Sequence, residues 1–437
     1  MNDSKKNKKI NLRINLTKNH PTNLGLKLFR LGILLLAAAP SLSFLFLLFS
    51  TFGGFINRED KFLKDKYSWI LILSSFLMIF NCFLITTDLI IIPESEKSLI
   101  WLGLLNWMPL FCCFWGFQNY LNTKEERLVA SKLLVIGSIP VLISGFCQKF
   151  LGLYGPYRFF NNLIIWYQRP LGADGGVSGL FNNQNYAGAW LCIIFPLCLG
   201  FLFKNHKKIF QKYINFFVVS SFVTMIILTT SRSAILAMLI TYFNLEKFTK
   251  NKVLAIFISI LTIILLVKIL LLINIDIQKY ITEYLPTGIL NKINYFKLSN
   301  LDTLPRFEIW SKSISFINQN LFFGYGAGSF PNIYSLFDGN FEGIQHTHNI
   351  FLELAFNHGL LVSLLILFTM VSILVTASKK YFFNKNQDLS LIDKAWIISF
   401  ANFLIIHMFD ITYFDGRISI LSWTLLAGIR KMNKKYI

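Results

Sequence analysis

Charge is what this 437-residue chain most lacks: Asp, Glu, Lys and Arg make up 15% of it, against 54% hydrophobic residues, 45 of them Phe. Mean hydropathy is +0.54, and apolar runs recur from end to end. Such a composition excludes an ordinary soluble domain and predicts an all-α polytopic membrane protein. Cysteine and histidine are also scarce, with six residues each. Cys82, Cys112, Cys113, Cys147, Cys192 and Cys198 all lie in or beside apolar runs, without metal-ligand spacing or a loop framework. They read as small buried hydrophobes, which excludes a disulfide scaffold. Internal repeats are lacking, and the one low-complexity tract is the Lys/Asn-rich N-terminus.

The charge that is present is lopsided. The formal net charge is +20, yet the lysines fall in short tracts beside apolar runs, at 5–27, 204–212, 247–252, 379–385 and the C-terminus. This is the pattern of cytoplasmic loops, not of a nucleic-acid face. Apolar runs occupy 67–87, 98–121, 128–147, 186–203, 213–229, 233–246, 253–274, 349–377, 394–410 and 417–430. The first run, 24–56, is too long for one span of about 20 residues and contains Pro40, so it is expected to cross twice as a hairpin of short helices. The expectation is about twelve spans with both ends cytoplasmic, eleven being the alternative. The divisions follow: a basic tail at 1–23, membrane helices over 24–274, a large outer loop at 275–347, membrane helices over 348–430, and a basic tail at 431–437. Ala37-Ala38-Ala39 has the look of a signal-peptidase site, but apolar sequence continues past it, against cleavage.

Two segments fall outside, 148–185 and 275–347. Within the second, Phe307, Trp310, Ile314, Ile317 and Leu321 recur near a helical period, predicting an amphipathic helix on the membrane surface. A glycine turn follows at Gly324, Gly326 and Gly328. It is read as a plain loop in preference to an anion nest, because no strand and helix flank it in dinucleotide fashion. The loop then ends in HTHNIFLELAFNHGLL, 346–361. Histidine titrates near neutrality, so His346 and His348 at a membrane boundary are candidate proton acceptors. A metal pair is disfavoured, since neither a third histidine nor a carboxylate stands at ligand spacing; a structural histidine at a helix start is the bland alternative. His358 is read as structural, and His407 has no assigned role.

Arginines break the charge pattern. Arg158, Arg169, Arg232, Arg306 and Arg417 all map to the outer face. Arg232 lies between two runs whose far ends are both basic, and the run after it has about fifteen residues, ~22 Å as a helix against a core of ~30 Å. A cation recessed there is costly without a partner. The bland reading is a buried salt bridge to Asp410, Asp415 or Glu353. The functional one is a phosphate or pyrophosphate group, which guanidinium forks suit.

Four tracts, GLFNNQNYA at 179–187, TSRSA at 230–234, RFEIW at 306–310 leading into FGYGAGSF at 323–330, and HTHNIFLE at 346–353 with Gly359, make the chain resemble the O-antigen ligase and O-antigen polymerase superfamily of bacterial inner-membrane proteins. Order and spacing match over roughly 100–430; the first hundred residues match in hydropathy alone. The resemblance implies a GT-C-like glycosyltransferase fold with a large periplasmic loop before the antepenultimate membrane segment. It implies transfer of a glycan from undecaprenyl pyrophosphate to an acceptor hydroxyl, without nucleotide sugar, metal or cofactor, on the periplasmic face of the inner membrane. It places the catalytic histidine on His348 and the pyrophosphate-binding arginines on Arg232 and Arg306. His346 is a second histidine beside the first, which leaves open which of the two is the base. Asn182, Asn185, Tyr186, His346 and Asn349 are candidate substrate contacts, with helix capping the alternative for those beginning a helix. Asp410 is expected to orient His348 or to pair an arginine.

Three roles share this donor: a ligase acting on lipid A-core, favoured here, a polymerase joining repeat units on the carrier, and a protein O-oligosaccharyltransferase. A solute transporter is the reading from another class. Transporters often show inverted repeats with broken helices in matched halves; this chain gathers its ionisable residues at one face instead.

Overall fold

Pro40 divides the first apolar run as its chemistry requires: a fixed φ and no N–H suit the first position of a helix and no interior one. In the computed structural model, α1 (Asn23–Leu35) and α2 (Pro40–Ile56) form an antiparallel hairpin, with Ser43 Oγ donating to Gly32 O at 2.7 Å beside the turn. The structure describes residues 23–56, 62–89, 94–171, 175–202, 209–244, 305–336, 343–383 and 390–434. The apolar run expected at 253–274 and the start of the outer loop, 275–304, lie outside the described residues.

Among the described residues six helices are long and apolar enough to cross a membrane: Lys66–Thr87, Lys97–Tyr120, Lys124–Leu151, Gln184–Leu202, Ile209–Leu228 and Leu360–Phe382. Shorter apolar helices include Pro40–Ile56 and Arg232–Thr241. A small antiparallel hairpin pairs β1 (Tyr157–Phe159) with β2 (Ile164–Trp166). The chain is an all-α polytopic membrane protein. Its centre is α8 (Gln184–Leu202), 83% buried over its apolar window, whereas α9 (Ile209–Leu228) is 22% buried and turns its surface outward. Asn402 on α15 (Leu391–His407) donates to Cys192 O at 2.9 Å and to Thr241 Oγ1 at 2.7 Å, tying α15, α8 and α10 (Arg232–Asn244) together. A buried amide in hydrocarbon needs such partners. At the end of the bundle where α3 (Lys66–Leu84) and α6 (Lys124–Gly137) begin, Arg127 pairs with Asp393 at 2.8 Å and Arg430 with Asp65 at 2.9 Å.

One expected span is not continuous. The run 349–377 forms two helices, α13 (Ile350–His358) and α14 (Leu360–Ser378), parted at Gly359, whose φ is +84°. The cause lies in the glycine turn 324–328. Tyr325 N–H donates to Phe356 O at 2.7 Å, Gly326 N–H to Asn357 O at 3.0 Å, and Leu360 N–H to Leu321 O at 2.8 Å. Asn81 adds a bond to His358 O at 2.7 Å. These amides are used within the protein, as the plain-loop reading expects. A Cβ on Gly359 would collide with the Phe322 carbonyl, and a non-glycine residue at that φ carries about 1–3 kcal/mol of strain. Gly359→Ala is therefore expected to lower the thermal midpoint of the solubilised protein by several degrees; an unchanged midpoint would remove the clasp as a stabilising device.

The amphipathic helix forms as α11 (Pro305–Gln319), but with a different inner face. Ile309, Phe316 and Ile317 pack against Phe356 of α13 and Phe330 of α12 (Phe330–Leu336), while Phe307 and Ile314 of the expected stripe are exposed. The helix covers other protein elements, which selects a face rotated from the one periodicity suggests.

Candidate active site at one end of the bundle

The site is built where α15 ends. His407 closes that helix with Nδ1 at 2.7 Å from Phe403 O and Nε2 at 3.0 Å from Thr412 Oγ1, so a residue without assigned role holds the following loop. Arg417 grips Asp415, donates to Leu180 O at 3.3 Å and stacks 3.7 Å over the Phe181 ring. Loop 408–415 is thereby pinned beside 180–185, and Asp410 is delivered into the site.

Asp410 is the hub. Its Oδ1 lies 3.1 Å from His348 Nδ1 and accepts from Ile411 N–H at 3.0 Å; its Oδ2 accepts from Asn185 Nδ2 at 2.7 Å. Burial pushes the carboxyl up, but the hydrogen bond and charge of His348, with Arg306 and His346, outweigh it and hold Asp410 below its ordinary value. Arg306, in the first turn of α11, is half-buried. Burial lowers its pKa, Asp410 opposes the shift and Arg232 adds to it. A guanidinium so lowered is still cationic at neutral pH. Those influences set Asp410 and Arg232 each within electrostatic reach of Arg306. Arg232 starts α10 with its side chain exposed. Among the described residues it makes no salt bridge to Asp410, Asp415 or Glu353. Asp415 is taken by Arg417, and Glu353 by Thr347 and Asn357.

His348 has φ +55° and Thr230, two residues before Arg232, has φ +54°. Left-handed backbone is uncommon outside glycine and more so for a β-branched residue; such strain concentrates at functional sites. The His346 ring stands edge-on to His348 with centroids 4.4 Å apart. Burial first, then His348, pushes its pKa down to about 4, so it is neutral at neutral pH, and its Nδ1 has no partner among the described residues.

Ligand atoms of His346, His348 and Asp410 lie within 4.8 Å of one another, a possible set for a metal ion. Sequence spacing could not show this, because Asp410 is 62 residues from His348. Arg306 beside the triangle opposes a cation and favours an anion.

The remaining expected contacts divide. Asn185 reaches the site through Asp410, and Tyr186 sits half-buried next to it. Asn182 is exposed; the local turn is made by Asn183, whose Oδ1 accepts from Asn185 N–H at 2.8 Å. Asn349 caps α13, accepting from Phe351 and Leu352 N–H, and donates to Met408 O at 3.2 Å. Its amide is used by the protein.

A carboxylate-oriented histidine with Arg306 beside its carboxylate marks a candidate anion-receiving site at one end of the helical bundle of a multi-pass membrane protein. Residues 216–367 match the family model described as O-antigen ligase, a family whose members are glycosyltransferase-like enzymes. Arg232, Arg306 and His348 fall inside the matched stretch; Asp410 and Asn185 fall outside it. No curated protein matches the chain significantly.

Proposed function

We propose that this chain is an O-antigen ligase-type glycosyltransferase that moves a glycan from undecaprenyl pyrophosphate to an acceptor hydroxyl, with lipid A-core the favoured acceptor. The observation that carries this reading is the His348–Asp410 pair set beside Arg306 and Arg232. With Nδ1 turned to Asp410, Nε2 of His348 is the nitrogen free to take the acceptor proton. The acceptor oxygen attacks the anomeric carbon as the bond to pyrophosphate breaks on the opposite side, so the centre inverts. Arg306 and Arg232 hold the pyrophosphate and stabilise the charge developing on it. Asp410 orients His348 and keeps a compensating charge when the imidazole is protonated. Tyr186, within reach of Asp410, and neutral His346, edge-on to His348, are the groups set to meet the sugar. Neither metal nor cofactor enters this scheme. In this reading both ends are cytoplasmic and the site faces the periplasm of a bacterial inner membrane, which the basic tracts beside the apolar runs support.

The test is the surface polysaccharide and carrier-linked glycan of a deletion strain. Loss of long-chain lipopolysaccharide with polymerised glycan accumulating on the carrier supports a ligase. Accumulation of single repeat units points instead to a polymerase, and loss of protein-linked glycan alone to a protein O-oligosaccharyltransferase. Profiles identical to the parent strain would sink the envelope-glycan reading.

A further inference from the structure

Glu353 is a carboxylate that the proposed chemistry does not use. It sits in the first turn of α13, buried, and makes no ion pair among the described residues. Its Oε2 accepts the Thr347 backbone N–H at 2.9 Å and its Oε1 accepts from Asn357 Nδ2 at 3.1 Å. A buried carboxylate without a cation is costly, so an aliphatic side chain would serve packing better. The acceptor must matter.

What it accepts from is telling. Thr347 is fully buried, and its Oγ1 donates to Asn349 O at 2.9 Å. Asn349 is fixed in turn by its capping bonds and by Met408 O. His348 thus stands between two immobilised neighbours, and its left-handed backbone is over-determined from both sides. Of the three residues it alone is not buried. We propose that Glu353 is the positioning residue of this site: by holding the Thr347 amide it enforces the left-handed turn at His348 and aims the imidazole at Asp410. This rests on the reading of His348 as the base.

Glutamine and methionine separate the acceptor from the volume. Glu353→Gln keeps a carbonyl for Thr347, and its NH2 can face Asn357, whose Oδ1 has no partner and is available after an amide flip. Glu353→Met fills the space and leaves the Thr347 N–H buried and unsatisfied. Purified full-length variants are added to membranes of the deletion strain, which hold both the lipid-linked donor and its acceptor, and transfer is followed against donor concentration. Glu353→Met is expected to lower kcat by roughly 10²-fold, as misplacement of a base by about 1 Å does. Donor KM stays within about threefold and Glu353→Gln within about threefold of wild type throughout.

Wild-type kcat in Glu353→Met, or an equal fall in Glu353→Gln, overturns the proposal. Should Glu353→Met fail to insert or fold, Glu353→Asp replaces it, retaining the charge while withdrawing the acceptor by one methylene. A fall of about tenfold or more at an unchanged thermal midpoint then supports the proposal, and wild-type kcat overturns it. His348→Ala is the control. Activity in that variant would mean the base assignment has failed; an inactive control beside an active Glu353→Met would mean only the positioning role has.

Discussion

His348→Ala is expected to reduce glycan transfer by the purified protein by about 10²–10⁴-fold in kcat, the range a positioned general base supplies. The argument is geometric. His348 shares a 3.1 Å contact with Asp410, while desolvation of His346 beside it lowers its pKa to about 4 and leaves its Nδ1 without a partner among the described residues. A group so reluctant to be protonated is a poor proton acceptor, and the loss should not be shared between the two. Donor KM should change little, because in the proposed mechanism the imidazole acts on the acceptor hydroxyl and not on the pyrophosphate. The measurement is initial-rate transfer with wild type and variant at matched insertion. A kcat for His348→Ala within about threefold of wild type would remove His348 from the mechanism.

Arg306→Ala should rank second, with a loss of about 10²–10³-fold, the effect of removing one donor to a developing oxyanion. Arg306 is half-buried beside Asp410, so its charge acts through a medium less polar than water. Arg306→Lys should recover part of that loss and no more, because an ammonium lacks the planar fork that matches phosphate oxygens. Arg232 is exposed, and its contribution should be smaller and more sensitive to salt, since an exposed charge is screened within about 10 Å at 0.1 M ionic strength. Steady-state kinetics of the three variants at low and high salt read this directly. If Arg232→Ala proves the more damaging, the ranking by burial is wrong and the pyrophosphate lies nearer α10.

Much of the fold was legible before any coordinates. Apolar runs and lysine tracts mark the helices because a membrane imposes a length and a charge asymmetry that local composition records. Pro40 marked the hairpin of α1 and α2 for an equally local reason. The break at Gly359 was not legible. Sequence offers only the short polar stretch Asn357-His358-Gly359 within a long apolar run, and the interruption comes from carbonyls and amides of 321–326 docking onto it. The face of α11 was misjudged for the same reason: periodicity shows that a helix has an apolar side, and the elements around it choose which side is covered.

At the site the division is sharper. The sequence by itself singled out the histidines 346 and 348 at a loop end and Arg232 as anomalies of position, and placed Arg306 on the outer face; the choice of His348 and Arg306 came from the family resemblance. It also determined the all-α membrane class, since 54% hydrophobic residues in recurrent runs admit few other solutions. Only the tertiary structure decided which histidine has the carboxylate, that Asp410 joins His348 to Asn185, that Arg417 belongs to Asp415, and that Arg232 is left exposed. The pairs His348–Asp410 and Asn185–Asp410 join residues 62 and 225 positions apart, and such pairing is set by how helices pack, which no local pattern encodes.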